Sequence, residues 1–165
     1  RVMVNRYNVG GEGLRQTRSL SPDAATLRRV FREVDELAGR LGLDVVSGVC
    51  TPHCLLDPEE YPHVRFGSCG TEAYRRPLTF DVEGNVRMCN HSPRVMGNVY
   101  RQPLEEILFS DYACSWESGR AAFCEECGRG ERCRGGCRAA AEQVGGTLRD
   151  ADPVTRELSL KPFNC

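Results

Sequence analysis

Four cysteines lie close together in one short segment of this chain, separated by two, five and three residues: Cys124, Cys127, Cys133 and Cys137. The segment is polar, so it offers no hydrophobic core for these thiols to fill. A thiolate is the soft ligand that holds zinc or an iron–sulfur cluster in proteins. Four glycines lie among the thiols, and glycine lets a backbone pass close to a bound ion. The segment therefore predicts a metal or cluster site.

Disulfides are the main alternative for a chain of 165 residues with ten cysteines. They are typical of short secreted scaffolds, whereas this chain is long enough to bury a moderate core. Cysteines separated by two or three residues also favour convergence on an ion over the cross-linking of distant loops. We therefore expect metal-binding thiols in the reducing cytoplasm.

The charge of the chain is balanced, with 22 basic and 23 acidic residues. Such a chain has no bulk field that draws it to nucleic acid or to a membrane surface. No apolar run approaches the roughly 18–20 residues of a membrane-spanning helix, and no secretion signal opens the sequence. We therefore expect neither nucleic acid nor a membrane as partner. Because the chain opens at Arg1 in the middle of a pattern, we also expect a longer protein upstream.

Residues 1–50 carry the pattern of a strand, a helix and a second strand. The first strand is predicted over residues 1–8, and a flexible glycine-rich loop follows it. The helix is predicted to begin with Ser21 as N-cap and to end at Gly42, with apolar residues at three- and four-residue steps. Residues 43–47 are predicted to form the next strand. This crossover requires a parallel sheet, whose other strands we expect upstream.

The second half of the chain predicts shorter elements. Residues 78–81 and 85–89 flank a tight turn and predict a β-hairpin. Short helices are predicted over residues 103–109 and 138–144, and two glycines end the second one. Prolines and cysteines interrupt any longer regular structure in this half.

The cysteine pattern of the whole second half is Cys69-x14-Gly84-x4-Cys89, then the four-cysteine segment, then Cys165. Together with the hairpin, Gly97-Asn98-Val99 and Gly135-Gly136-Cys137-Arg138, it resembles the seven-cysteine signature of the SPASM domain. That domain is the C-terminal extension of many radical SAM enzymes. The resemblance covers about residues 65–165.

Residues 1–50 are in turn similar to the last strand–helix–strand portion of the open α/β barrel that precedes this domain. The resemblance therefore implies an α/β barrel remnant over residues 1–60. A small α+β SPASM domain follows over residues 61–165, with a β-hairpin, short helices and cysteine-rich loops.

The resemblance also implies two [4Fe-4S] clusters in this chain. By motif position, three thiols ligate the first cluster: Cys69, Cys89 and Cys137. Four thiols ligate the second: Cys124, Cys127, Cys133 and Cys165. The first cluster needs one more thiolate, for which Cys54 is the candidate and Cys50 the alternative; with neither, an open iron can bind substrate. Four arginines are predicted to offset the negative charge of the clusters: Arg129, Arg132, Arg134 and Arg138.

Several other residues are weaker candidates. Asn5, Arg6 and Glu12 lie at the expected C-terminal end of a barrel strand, where such folds bind ligands, so Asn5 and Arg6 are candidates for contact with S-adenosylmethionine. Simple loop polarity is the alternative for each. Three histidines are expected to be polar loop residues, and a role as ligand or proton carrier is the alternative for each: His53, His63 and His91. Cys114 is expected to be a buried thiol that binds no metal.

Radical SAM chemistry starts at a cluster held by Cys-x3-Cys-x2-Cys, and this chain lacks that motif. Cys50-x3-Cys54 has no third cysteine at the next step, and after Cys133-x3-Cys137 the required position is Ala140. We therefore expect the chain to be inactive alone. The resemblance implies that an upstream core supplies S-adenosylmethionine and a third [4Fe-4S] cluster.

Members of this family mostly modify ribosomally made peptides or proteins, so the resemblance implies a peptide maturase. Its partners would be the peptide or protein substrate, a precursor-recognition element, the upstream core, and an electron donor such as flavodoxin or ferredoxin. A small-molecule dehydrogenase or epimerase is the alternative within the family. Outside it, two interleaved zinc sites would make the chain a structural interaction module. A free-standing electron carrier is disfavoured by the strands in residues 1–50.

Overall fold

The computed structural model describes residues 1–72 and 76–155. These residues form two small sheets, each of three strands, with short helices between and around them. The result is a small mixed α/β architecture, as the sequence predicted in outline. The origin of residues 1–60 in a barrel, and the domain division after residue 60, stay predictions.

The first sheet is parallel and has the order β1-β2-β3, formed by Val2–Met3, Val45–Ser47 and Val64–Phe66. The predicted parallel crossover between β1 and β2 is confirmed, with Val2 paired to Val45. However, β1 is much shorter than the predicted strand. The strand β3 was not predicted, because three residues in a proline-flanked stretch are too few to show alternation. It lies beyond residue 60, so the sheet draws on both predicted domains.

Three helices connect β1 to β2. The predicted flexible loop is wrong: a 3₁₀ helix, Gly11–Gln16, and the short helix α1, Thr17–Leu20, occupy that stretch. The long helix α2 spans Ala24–Leu41. Its N-cap is Asp23 and not the predicted Ser21, since the Asp23 carboxylate accepts the Thr26 amide at 2.7 Å.

The end of α2 agrees with the prediction. Gly42 ends the helix in the left-handed region with φ 63°, where a residue with a side chain is strained. Helix α2 buries Leu27, Phe31 and Ala38 in the first hydrophobic cluster. The ring of Phe31 stacks on Phe66 of β3 with centroids 5.6 Å apart. The helix is thereby fixed on the parallel sheet.

The second sheet is antiparallel and has the order β4-β5-β6, formed by Thr79–Phe80, Asn85–Arg87 and Gly97–Asn98. The predicted hairpin is confirmed, with Phe80 paired to Val86. Gly84 has φ +80° and lies at its turn, where the Asp81 carboxylate accepts the Glu83 and Asn85 amides. A short 3₁₀ helix, Pro58–Glu60, precedes β3 of the parallel sheet.

Helices α3 and α6 confirm the two predicted short helices, at Leu104–Leu108 and Arg138–Gln143. Two further helices were not predicted: α4 at Asp111–Ser118 and α5 at Gly130–Cys133. The helix α5 lies inside the glycine-rich cysteine segment, where local propensity disfavours helix. Two more 3₁₀ turns occur at Ala122–Cys124 and Pro153–Thr155.

A second hydrophobic cluster packs α4 and α6 together. Its largest member is Trp116, which is 1 % exposed, and Met88 and Ala140 pack in the same cluster. Cys69 and Cys137 also belong to it, so part of the predicted site borders the core. Among the described residues, no helix is long and apolar enough to cross a bilayer.

Candidate metal centre

The structure divides the described cysteines into two groups and one separate residue. Charge interactions and hydrogen bonds connect the members of the first group: Cys50, Cys69, Cys89 and Cys137. Charge interactions alone connect Cys54 with the other members of the second group: Cys124, Cys127 and Cys133. The separate residue is Cys114. No disulfide links any two of the described cysteines.

The parallel sheet brings Cys50 and Cys69 together. Ser47 and Phe66 are paired at the ends of β2 and β3, and each cysteine follows its strand by three residues. Parallel strands end at the same edge of a sheet, so the two thiols reach the same place. Their direct interaction lowers the pKa of Cys69, with help from the nearby Arg138, and raises the pKa of Cys50.

Cys89 and Cys137 join the first group from other elements. Cys89 follows the hairpin strand β5, and Cys137 is the N-cap of α6. Burial is the main reason that the pKa of Cys89 is raised, while backbone amides of His91 and Ser92 oppose the shift. Burial likewise raises the pKa of Cys137 to about 11. Metal binding must therefore displace protons from these two thiols.

A buried ion pair lies beside the first group and contacts the backbone of two of its cysteines. Arg6 and Asp152 pair with side chains that are 2 % and 0 % exposed. Arg6 also donates to the Cys50 carbonyl at 2.9 Å, and Asp152 accepts the Cys137 amide at 2.8 Å. The pair thus connects the backbones of two cysteines that are distant in sequence. Sequence reasoning missed Asp152, since a lone aspartate 15 residues after Cys137 gives no signal.

Asn5 and Arg6, the candidates for S-adenosylmethionine, both hold the loop that leads to Cys50. The Asn5 carbonyl oxygen accepts the Gly48 and Val49 amides at 2.8 and 3.2 Å. Both residues also line a cavity of about 280 Å³ beside α2. Contact with the cofactor stays a prediction. The third candidate, Glu12, is exposed and lies 3.8 Å from Arg15.

The surroundings of the first group fit an iron–sulfur cluster. Asn8 donates to the Cys137 sulfur at 3.4 Å, and amides that donate to sulfur are a common feature of such sites. Arg138 Nη1 and Arg76 Nε are buried and have no hydrogen-bond partner among the described residues. Both arginines act electrostatically on Cys69. Buried donors of this kind suit a bound group with many acceptors, such as cluster sulfides.

The second group is built around the cysteine segment. Cys124 ends a 3₁₀ turn and Cys133 ends α5. After Cys133 the backbone takes three successive left-handed residues, with φ of 55°, 79° and 81°: Arg134, Gly135 and Gly136. This reversal directs Cys137 away from its sequence neighbours and into the first group. Cys165, the predicted fourth ligand, lies outside the described residues.

Cys54 was predicted as the fourth ligand of the first cluster, but the structure places it with the second group. Burial, followed by the charges of Cys133 and Cys124, raises its pKa to about 12. The neighbouring His53 amide donates to the Cys133 sulfur at 3.3 Å. Cys50, the alternative, lies with the first group. Ligation by either residue stays a prediction.

The four predicted charge-balancing arginines have different surroundings. Arg138 is buried beside Cys69, and Arg134 donates to Thr71 at 2.7 Å and to the Cys69 carbonyl at 3.4 Å. Arg129 instead pairs with Asp57, and the exposed Arg132 lies 3.9 Å from Glu59. Positive charge is thus concentrated at the first group.

Two of the three histidine side chains contact groups other than the cysteines. His91 contacts the Val9 carbonyl at 2.6 Å, and His63 lies 3.2 Å from the Asp35 carboxylate. His53 is half-buried, and desolvation lowers its pKa. Cys114 is exposed on α4, so the expectation of a buried thiol is wrong. The helix that exposes it was not predicted.

A single metal ion needs closely converging ligands. In residues 1–72 and 76–155, no three histidine, cysteine, aspartate or glutamate side chains form a group that could hold one.

Comparison with protein families gives one match. Residues 69–134 match the model of SPASM, described as an iron-sulfur cluster-binding domain. The matched range contains the thiols from Cys69 to Cys133 and ends just before the left-handed glycines. Neither the curated proteins nor the solved structures contain a significant match to the chain.

Proposed function

We propose that the chain is the auxiliary-cluster portion of a radical SAM enzyme, because residues 69–134 match the model of SPASM, an iron-sulfur cluster-binding domain typical of such enzymes. In this role it holds two [4Fe-4S] clusters, one at each cysteine group. The observation that carries the proposal is the division of eight described thiols into two groups of four. Each group contains thiols from separate parts of the chain.

The first cluster is held by the four thiols of the first group, with Cys50 as the fourth ligand. The parallel register supports this assignment, because it places Cys50 beside Cys69. When bound, such a cluster supplies one-electron transfer. A full set of four thiolates leaves no open iron, so this site takes up an electron rather than binding substrate.

The residues around the first group stabilise its charge. Four thiolates on a [4Fe-4S]²⁺ core carry a net charge of about −2, and a buried charge of that size needs nearby cations and amide donors. Arg138, Arg76 and Arg6 act electrostatically on thiols of this group. Amides of His91 and Ser92 donate to Cys89. These groups would offset part of the negative charge that a bound cluster places in a largely buried site.

The second cluster is held by Cys124, Cys127 and Cys133 with a fourth thiolate. The resemblance to the family implies Cys165 at that position. The second group is less buried than the first, and none of its described thiols is fully buried. This exposure suits exchange of electrons with an external partner.

The reaction we propose is oxidative modification of a ribosomal peptide or protein. An upstream core would bind S-adenosylmethionine at a third cluster, and flavodoxin or ferredoxin would supply electrons. The family resemblance supports this substrate class, and the many reduced thiols suit the cytoplasm. A short precursor peptide encoded beside the protein would favour a maturase. If no precursor peptide is encoded nearby and the neighbouring genes encode metabolic enzymes, a small-molecule dehydrogenase or epimerase is favoured.

Anaerobic reconstitution tests the cluster proposal. The protein is loaded with iron and sulfide, desalted, and analysed for metal, sulfide and visible absorption. We expect about eight irons and about eight sulfides per chain with a broad charge-transfer band. A Cys69→Ser, Cys127→Ser double variant is the matched control and should lose most of this iron. A colourless protein that retains only zinc would contradict the proposal and favour the interaction module.

A further inference from the structure

Cys89 begins and Ser92 ends a tight turn, the Cys89 turn, which helix α6 contacts at two points. The Ser92 amide donates to the Cys89 carbonyl at 3.1 Å and closes the turn. Gln143 of α6 donates to the His91 carbonyl at 2.8 Å. The Ser92 hydroxyl lies 3.5 Å from the Glu142 carboxylate, and Ser92 is only 3 % exposed. The last two residues of α6 thus hold the last two residues of the turn.

Tyr112 of α4 completes the contact between Glu142 and the Cys89 turn. Its hydroxyl donates to the Glu142 carboxylate at 2.7 Å and lies 3.2 Å from the Ser92 hydroxyl. Burial raises the pKa of Tyr112, so the hydroxyl keeps its proton and remains a donor. One hydrogen-bonded network therefore joins α4, α6 and the Cys89 turn.

His91, inside the same turn, contacts the segment that follows β1. Its Nε2 lies 2.6 Å from the Val9 carbonyl, and this nitrogen carries the proton because a carbonyl can only accept. A Cβ atom added to Gly10 would lie 2.4 Å from His91 Cε1, so the segment packs directly on the imidazole. The preceding residue, Asn8, donates to the Cys137 sulfur at 3.4 Å. The Cys89 turn and the Cys137 thiol are thus connected a second time, through the N-terminal segment.

Cys137 is the N-cap of α6, so one helix carries a thiol of the first group at its start and holds the turn of another at its end. The middle of α6 is buried in the second hydrophobic cluster, which keeps the helix itself in place. We propose that Glu142, Gln143 and Tyr112 are positioning residues for the first cluster, because they fix Cys89 relative to Cys137. This inference rests on the proposed function. Such outer hydrogen bonds orient the ligands of a metal site and raise its affinity.

Two ligand-deficient variants isolate the clusters for the test. Cys127→Ser lacks a ligand of the second cluster and should retain the first, whereas Cys69→Ser should retain the second. Each background is reconstituted anaerobically, and the release of iron to a ferrous chelator is followed by absorbance. The low-temperature EPR spectrum of the reduced protein identifies the cluster that is present.

The network should act on the first cluster alone. In the Cys127→Ser background, we expect Tyr112→Phe and Gln143→Leu each to release iron at least about tenfold faster, since loss of an outer hydrogen bond typically costs about 10–100-fold in metal affinity. In the Cys69→Ser background, the same substitutions should leave the rate unchanged. Tyr100→Phe is the matched control for Tyr112→Phe, because Tyr100 is 77 % exposed and should not affect either cluster.

Glu142 allows a conservative rescue. Glu142→Gln keeps an oxygen that accepts the Tyr112 hydroxyl, whereas Glu142→Leu keeps none. We expect iron release from the first cluster to be slower in Glu142→Gln than in Glu142→Leu. Equal rates in these two variants would contradict a role through hydrogen bonding.

Hydrogen exchange of the loaded, unmutated chain gives a test that does not depend on whether a variant folds. Elements that are held together open together, so the Ser92 amide should show the same protection as the Ala140 amide of α6. A Ser92 amide that exchanges without protection, while the Ala140 amide stays protected, would show that the helix does not hold the turn.

Two further results would overturn the inference. Unchanged release rates in both Tyr112→Phe and Gln143→Leu show that the network does not act on the first cluster. Equal acceleration in both backgrounds shows a general loss of stability without positioning. Either result leaves the proposed function standing, whereas an unmutated chain that takes up no iron overturns both proposals.

Discussion

The thiols of Cys50 and Cys69 meet because each lies three residues beyond a paired position at the end of the parallel sheet, Ser47 and Phe66. The Gly67 amide donates to the Ser47 carbonyl at 2.8 Å and continues this pairing toward the thiols. The register of two three-residue strands thus sets the geometry of a metal centre. A shift of the register by one residue would move one thiol along the sheet edge and reverse its direction.

We predict that Cys50→Ala reduces the iron content of the reconstituted protein from about eight to between about four and seven, because the first cluster loses a ligand or converts to a three-iron form. Iron analysis and EPR of the oxidised protein measure the change. Cys114→Ala is the control. An unaltered iron content and spectrum in Cys50→Ala would show that the first cluster does not use this thiol.

Arg138→Met should lower the reduction potential of the first cluster. Reduction adds a negative charge to the site, and a buried cation beside Cys69 stabilises the reduced state more than the oxidised state. Arg138→Lys should restore part of the potential. EPR-monitored redox titration makes the comparison, with the exposed Arg132→Met as a control that leaves the potential unchanged. A potential in Arg138→Met equal to or above that of the wild type contradicts the prediction.

Removing one partner of the buried Arg6–Asp152 pair should destabilise the protein by about 3–5 kcal/mol, because the other charge remains buried without compensation. Arg6→Met and Asp152→Leu are the single variants, and the free energy of unfolding is measured by urea titration. The double variant should be more stable than either single variant. Equal destabilisation that simply adds in the double variant would show that the two charges are not coupled.

The left-handed run before Cys137 gives a backbone prediction. Gly136 has φ +81°, and an added Cβ would lie 2.6 Å from Pro52 and 2.7 Å from Asp152. Gly136→Ala should therefore cost more than the roughly 1–2 kcal/mol of a left-handed non-glycine residue alone. Gly128→Ala is the matched control, because no atom lies within 4 Å of its added Cβ. Urea titration should show a change of at most about 0.5 kcal/mol for the control. Similar unfolding energies for both variants would contradict the prediction.

Local patterns predicted the elements whose signals are contiguous in sequence. Helix α2, its end at Gly42 and the hairpin before Cys89 were predicted because amphipathic periodicity and turn residues act over a few positions. The N-cap was misplaced by two residues, from Asp23 to Ser21, since serine and aspartate both cap helices well. Helix α4 was missed because its position depends on Ala113 and Trp116 packing in the second hydrophobic cluster. Helix α5 was missed because it lies among glycines, whose propensity disfavours helix.

The sequence by itself determined that soft ligands crowd one polar segment, and this spacing led to the family whose model matches residues 69–134. Only the tertiary structure decided which of two nearby cysteines faces which group. Cys50 and Cys54 are four residues apart in a stretch without periodicity, so no local rule separates them. The pairing of β2 with β3 directs Cys50 to the first group, and the packing of Pro52 on Gly136 directs Cys54 to the second. Both contacts join segments distant in sequence, and their energy exists only once the chain is folded.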